Sequence, residues 1–543
     1  PPVRGGTVVR GRQVEPAQYN TVLTTSGGTG TLVQYLADRF IGRAVDPETG
    51  RMVYYPKQLQ VIPSVENGLI KMLPDGRMEV TYKFRKGMKW HDGHEVTAED
   101  AVFMKEVLTD PKFPTVSRRG FDIMEKMEVI SPYELKVTYS EFYPYAHVGS
   151  PQYLTFFLLP KHVFEDDYRK AKETGNYDEF VQKVATTAIF CGPYKLVDVQ
   201  PGQVYTLEAF DDYYFGRPNI DKLVMRIILD TTVLLTSLVN EELDFHSIYN
   251  LDQALAIEAK IPESMTMVYY PTINHQLPIA LNLRDPEDIT KPHPNLGDVR
   301  VRRAMLHALD RQAINEAVYG GKNEVSHCWI WSELHPWHNP NVAKYPYDPE
   351  KAVELLEEAG WKMGPDGVRV KDGRRLSLEF VTIAGRTGYE MCQQMMQAQW
   401  AKVGIEIRIN NMPWRTFTSQ YRPKAQFDIA LGSWGYSELT DPLIYWHSKG
   451  IPTPENNYSG VNYWGWNNPE NDRLLELASV EPDPEKRKEL IWKHLELWSE
   501  DLPMLPFLHL SEAGIAKKDL IGFFAYDFLP GAVDNLPYWY WAR

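Results

Sequence analysis

Two short stretches hold the side chains best suited to chemistry. The first, "WHDGH" from Trp90 to His94, sets two imidazoles around one carboxylate. Histidine nitrogen and aspartate oxygen are donors that a transition metal accepts, and the same groups move protons in general acid–base catalysis. A helical zinc pair would want its histidines one turn apart with further ligands close by. Here His91 and His94 flank the Asp92-Gly93 turn, and no H-x-x-x-H pattern stands near. Thr97 is a good N-cap, Asp100 holds the capping-box position, and Val96 with Ala101 has the spacing of a hydrophobic staple. The corner therefore reads as scaffold, a strand turning into a helix.

The second stretch, "SHCWIWSELHPWH" from Ser326 to His338, offers His327, Cys328, His335 and His338 as nitrogen and sulfur donors. Its spacing matches no common zinc module, and Trp329, Trp331 and Trp337 suit a loop that faces an organic ligand. The Gly-rich "TTSGGTGT" (Thr24 to Thr31) follows no clear strand, so it reads as a flexible cleft rim and not as a phosphate cradle. No G-x-x-x-x-G-K-[ST], G-x-S-x-G or H-E-x-x-H occurs. A pair of hydrolytic carboxylates meets in space and leaves no sequence mark, so a carboxylate-pair hydrolase stays an alternative without support. The expectation is no catalytic residue, no metal and no cofactor.

These segments need a large frame. At 543 residues the chain exceeds what one core usually holds, about 250 to 300 residues, so two or three domains and a cleft are expected. A net charge of −14 with no long basic run disfavours nucleic acid and anionic lipid as partners. No apolar run is long enough to span a bilayer. The chain opens on Pro1-Pro2-Val3 without an initiator Met, which leads to the expectation of export after loss of a signal peptide. Three cysteines, Cys191, Cys328 and Cys392, lack C-x-x-C spacing and read as buried thiols, with room for one bridge at most. Aromatics reach 12%, with 15 Trp, and large rigid rings can line a cleft at low entropic cost.

Periodicity places the elements. Val80, Tyr82 and Phe84 share one face of a strand over Met78 to Arg85, behind an Asp75-Gly76 hairpin turn, and Leu32, Tyr35, Leu36 and Phe40 suggest a helix over Thr31 to Phe40. Asp298, Asp310 and Asp348-Pro349 each cap a helix. A helix over Gly388 to Val403, then Gly404, then alternating Ile405 to Ile409 is an α/β signature. Apolar strands at Leu277 to Arg284 and Leu502 to Leu510 are candidates for crossings between lobes.

In order, "FRKGMKWHDGHEVTAEDAVF", "CGPYKLVDVQPGQVYTLEAFDDYYFGRPNIDKL", "LNLRDP", "DVRVRRAMLHALDRQAI", "YDPEKAVELLEEAGW" and "NNPENDRLLELA" resemble the motifs of extracellular solute-binding protein family 5, the dipeptide- and oligopeptide-binding components of ABC importers. The resemblance spans nearly the whole chain. It implies an α/β, two-lobed periplasmic-binding-protein fold of type II-like form, with an inserted β-rich subdomain and two hinge crossings. Lobe I would take residues 1–50, the insert 51–190, lobe I again 191–284, lobe II 285–501, and lobe I its last part, 502–543. The implied function is peptide capture in an interdomain cleft by a monomer outside the cytoplasm, in the periplasm or lipid-anchored at the surface, for a membrane ABC permease and without chemistry.

The ligand is read from departures. In the family's dipeptide binders an Asp shortly after a Trp holds the peptide amino group; in "LGSWGYSELTDPLIYW" that place falls near Ser437 or Glu438, with Asp441 displaced by one residue. An Arg near the start of the Gly388 helix holds the carboxylate there, whereas Glu390 and Met391 occupy the place here and Arg386 is the nearest Arg. Longer peptides held through their backbone survive both changes, and so do oligosaccharides stacked on aromatic rings, the second reading. A nickel or haem carrier is a further alternative, suggested by the His-rich segment. The contacts implied for the ligand are Tyr19, Asn20, Trp329, Trp331, Arg386, Trp414, Trp434, Tyr436, Ser437, Glu438 and Asp441.

Overall fold

Thr7–Arg12 runs parallel to Lys222–Ile227, with Thr7 opposite Lys222, and parallel to Phe245–Ile248 at Arg10 and Phe245. Antiparallel Val204–Ala209 and Tyr194–Gln200 extend one side, and residues 513–516 pair antiparallel with Phe245–Ile248 on the other. The computed structural model describes residues 4–45, 52–148, 155–248, 251–436, 442–523 and 536–542. The chain forms two compact units, one of residues 1–248, 257–268 and 513–543, the other of 249–256 and 269–512. The strands Met265–Leu281 and Met504–Lys517 each contribute to both units, changing over at Val268/Tyr269 and Glu512/Ala513. Met265–Leu281 begins well before the apolar segment Leu277 to Arg284, and Met504–Lys517 runs past Leu510.

The first unit also holds a four-stranded antiparallel sheet in the order Ile70–Met72, Met78–Lys83, Glu134–Tyr139, Met124–Ser131. Alternation along Met78–Lys83 turns Met78, Val80 and Tyr82 inward, as the pleat requires. Tyr82 and Phe156 pack edge to face at 5.3 Å, and the Tyr82 hydroxyl donates to the carbonyl of Ala146 at 2.6 Å. That leaves its lone pairs for the Tyr139 hydroxyl, also 2.6 Å away. The Ala98–Thr109 helix begins on the expected capping box of Thr97 and Asp100. The Gly-rich segment corrects an expectation. It opens the helix Gly27–Leu36, four residues before the predicted start. Thr29 donates to the carbonyl of Gln18 at 2.7 Å, and a Cβ on Gly28 would lie 2.4 Å from the Glu15 carbonyl oxygen, so a larger residue there would push that backbone away.

The second unit is built on a parallel crossover. Ser377–Thr382 leads through the helix Thr387–Lys402 to Glu406–Ile409, with Ser377 opposite Glu406. Ile429–Leu431 continues the sheet parallel to Phe380–Thr382 and antiparallel to Ile279–Leu281. Asp298, Asp310 and Asp348 cap the helices Val299–His307, Arg311–Tyr319 and Pro349–Glu358 through their side chains, as their positions predict. The three cysteines are free and buried, so no bridge forms.

Candidate ligand-binding site

The second unit gathers much of the chain's tryptophan into one cluster. Trp329, Tyr436, Trp446, Trp464, Trp466 and Trp498 are buried in it, while Trp331, Trp337 and Trp434 pack against it only partly covered. Trp434 sits in a two-residue strand facing Gln276, with Gly435 facing His275. Its ring meets Tyr445 edge-on at 5.0 Å, Tyr436 at 5.8 Å, Trp446 edge-on at 5.8 Å and Trp329 at 6.1 Å. A large amphipathic face is thus held stiffly from behind and half open to solvent. Such a surface suits the side chains of a peptide or the apolar face of a sugar.

The other proposed contacts divide by burial. Trp329 is 1% exposed and serves as core: its carbonyl accepts from Gln276 Nε2 at 2.7 Å. Trp331 is half-buried, stands edge-on to His327 at 4.6 Å and has the Lys344 ammonium 5.5 Å from its ring. Trp414 belongs to a second cluster with Phe417, Phe427 and Met412, and Gly432 makes room for it, since a Cβ there would lie 2.3 Å from the indole. Arg386 is half-buried at the N-cap of Thr387–Lys402, its guanidinium 4.2 Å from the Tyr389 ring centroid.

In the first unit, Asn20 is enclosed, donating to the Leu158 carbonyl at 2.9 Å and accepting from the Val22 amide at 3.1 Å. Half-buried Tyr19 stands edge-on to Tyr205 at 6.4 Å, and burial followed by the Glu15 carboxylate raises its phenol. Ser437, Glu438 and Asp441 lie outside the described residues.

The His-rich segment shares its donors out among separate tasks. His335 Nδ1 accepts from the Trp337 amide at 3.0 Å, His338 Nδ1 lies 2.7 Å from the Trp331 carbonyl, and the Cys328 thiol donates to the Ile330 carbonyl at 2.8 Å. Burial drives His327 down to about 3. Among the described residues, one set of three His, Cys, Asp or Glu side chains brings its donor atoms within reach of a single ion, and it is Asp92, His94 and His162 in the first unit.

The family model for bacterial extracellular solute-binding proteins, family 5 Middle, matches residues 71–457. The chain belongs to this family. Across its length this family-5 chain is similar to the oligopeptide-binding protein AppA of Bacillus subtilis, at 26% identity over 92% of this chain and 86% of the relative. It is similar to the dipeptide-binding protein of Escherichia coli at 25% identity over 96% and 92% of the two chains. Among solved structures, the oligopeptide-binding protein of Thermus thermophilus complexed with a pentapeptide shares 27% identity and a TM-score of 0.68, over 95% of this chain and 92% of that one. The fold is the mixed α/β fold of periplasmic binding proteins.

The structure of this family-5 chain adds polar groups beside the aromatic face that no motif marks. Glu512 is 6% exposed, its Oε1 lies 3.8 Å from His275 Nδ1, and burial raises its carboxyl to about 8. Burial, then His509 and Arg386, hold His275 down to about 4. His509 sits opposite Glu324, and its Nε2 is 2.5 Å from the Thr272 carbonyl. A carboxyl raised this far by burial holds its proton at neutral pH and can donate a hydrogen bond there.

Proposed function

We propose that this chain captures oligopeptides outside the cytoplasmic membrane and hands them unaltered to a membrane ABC permease. The observation that carries the reading is the half-open indole of Trp434 on its rigid aromatic backing, in a chain whose full-length relatives are named for oligopeptide and dipeptide binding. Trp434, Trp331, Trp414, Arg386 and Tyr19 are the proposed contacts with described, partly accessible side chains, and Tyr436 supports Trp434 from behind. An aromatic platform grips side chains of many shapes, which suits a carrier of mixed peptides. The Glu390 and Met391 positions supply no guanidinium for a fixed C-terminus, which favours peptides held along their length.

Native mass spectrometry of the protein as isolated, followed by calorimetry with peptides of graded length and with cello- and manno-oligosaccharides, tests the reading. Retained peptide and heat from peptides alone are expected. Saturable heat from sugars only would replace the reading with the oligosaccharide one, and a chemically altered ligand would end the carrier reading altogether.

A further inference from the structure

The corner at residues 90–97 has two faces. His91 points inward: its Nδ1 accepts from the Phe190 amide at 3.3 Å, its Nε2 lies 3.2 Å from the Gly192 carbonyl, and burial holds it down to about 4. With both ring nitrogens engaged, His91 is scaffold. Asp92 and His94 point outward, and the first turn of the Lys161–Thr174 helix brings a third donor to them. His162 Nε2 lies 2.7 Å from Asp92 Oδ2, His94 Nδ1 lies 3.2 Å from Asp92 Oδ1, and the two imidazoles stack with centroids 4.0 Å apart. The candidate ligand atoms all lie within 4.8 Å of one another.

The arrangement is held by backbone, not by the three side chains alone. The Trp90 amide donates to the His94 carbonyl at 2.8 Å, and the Gly93 amide to the Trp90 carbonyl at 2.9 Å, with Gly93 at φ +94 where a side chain would strain the turn. Asp100 ties the corner to the second helix: one carboxylate oxygen accepts from the Thr97 amide and the other from the Lys161 amide, each at 2.9 Å. His162 follows Lys161 directly, so its position relative to Asp92 is set before any ion arrives.

We propose that Asp92, His94 and His162 form a surface site for a divalent transition-metal ion of the zinc class. Two imidazoles and a carboxylate are three donors that zinc favours, with a fourth position left for water. Bonds of about 2.0–2.1 Å in tetrahedral geometry separate ligand atoms by about 3.3 Å. The present 2.7 and 3.2 Å separations run to opposite oxygens of Asp92 and the donors spread over up to 4.8 Å, so binding requires the two exposed rings to rotate out of their stack. His94 is 63% exposed, which opens the site to solvent. The neighbouring Lys161 ammonium is 3.2 Å from Glu99, which offsets its repulsion of a cation. The ion would replace the hydrogen bond that now links ring to carboxylate and would staple the corner to the Lys161–Thr174 helix. This inference does not depend on the peptide reading.

The test is calorimetric titration of the full chain, without an affinity tag and stripped with chelator, with zinc chloride and in parallel nickel chloride. Wild type is expected to bind one ion per chain, and zinc is expected to raise its melting temperature. His94→Ala, His162→Ala and Asp92→Asn should each weaken binding by more than the ~10–100-fold lost on removing even an outer-shell partner, and should abolish the zinc-dependent rise in melting temperature. Both rings are on the surface, so the metal-free variants should melt with wild type, which separates ligand loss from misfolding. An absence of zinc binding by wild type, or unchanged stoichiometry and affinity in all three variants, would overturn the proposal.

Discussion

The indole Nε1 of Trp329 donates to Nε2 of His494 at 2.9 Å, deep in the second unit. The imidazole must then carry its proton on Nδ1, which lies 2.7 Å from the amide oxygen of Asn471, and Asn471 in turn donates to the Trp446 carbonyl at 2.7 Å. One polar thread thus runs through the aromatic cluster with every link satisfied, and it fixes the face on which Trp434 rests.

Trp329→Phe keeps a ring but takes away the donor, leaving a buried His494 nitrogen unpaired at a cost of about 1–3 kcal/mol. A lowered melting temperature is expected, with ligand affinity altered only indirectly. Acid should tell the same story. Burial holds His494 down to about 3, so its contribution to stability is complete above its unfolded value of about 6.5 and is lost as pH falls from there toward 3. If Trp329→Phe melts with wild type at neutral pH, the thread does not support the cluster.

Trp434→Ala should do the opposite. Its ring is partly open, so its removal should lower the melting temperature less than Trp329→Ala, for which burial predicts a loss of about 3–5 kcal/mol. Peptide affinity should fall by about 2 kcal/mol or more if Trp434 anchors the ligand. Calorimetry beside a melting curve decides it, and unchanged affinity would remove Trp434 from the site.

The elements were legible where local chemistry decides them. Thr97 with Asp100, and Asp348 with Pro349, announce their helices because a cap and its helix lie within a turn of chain. The start at Gly27 was hidden because three glycines in four residues argue against a helix, and only the distant Glu15 backbone explains the Gly28 position. The aromatic face was partly legible: Trp434 stood out through its segment's resemblance to the family's ligand-contacting stretch, but that Trp329 would be enclosed and Trp434 left half open depends on packing against Trp446, Trp464 and His494. Asp92 meets His162 from 70 residues away, and His275 meets Glu512 across still more chain, so no spacing rule could pair them.

Gly432 gives a third test, one of shape. A methyl group there would meet the rigid Trp414 indole, so Gly432→Ala should cost about 1–3 kcal/mol and move that ring. Trp414→Ala should relieve the clash, making the double variant more stable than the sum of the two single losses. Strict additivity in urea unfolding would show that Gly432 is not there to admit Trp414.

Glu512 makes the last prediction one of pH. Its carboxyl is raised to about 8 by burial, against about 4.3 in an unfolded chain, so the folded state holds this proton more tightly. The resulting stability is complete below about pH 4.3 and is lost as pH rises through 8. The buried histidines work at the other end: His275, His494 and His509 are all held down by burial, so their effect lies below about pH 6.5. Cys328 and Cys392 are raised to about 12, which puts their contribution above the thiol's ordinary range of about 8.5. Between about pH 6.5 and 8.5, Glu512 should therefore dominate the slope, with an upper limit of about 1.4 kcal/mol per pH unit. Glu512→Gln keeps the shape and removes the proton, so urea unfolding of this variant across that window should be flatter than wild type by up to that amount. An equal slope in both proteins would mean that Glu512 is already ionised in the fold, and that His275 beside it, at 3.8 Å, carries the compensating charge.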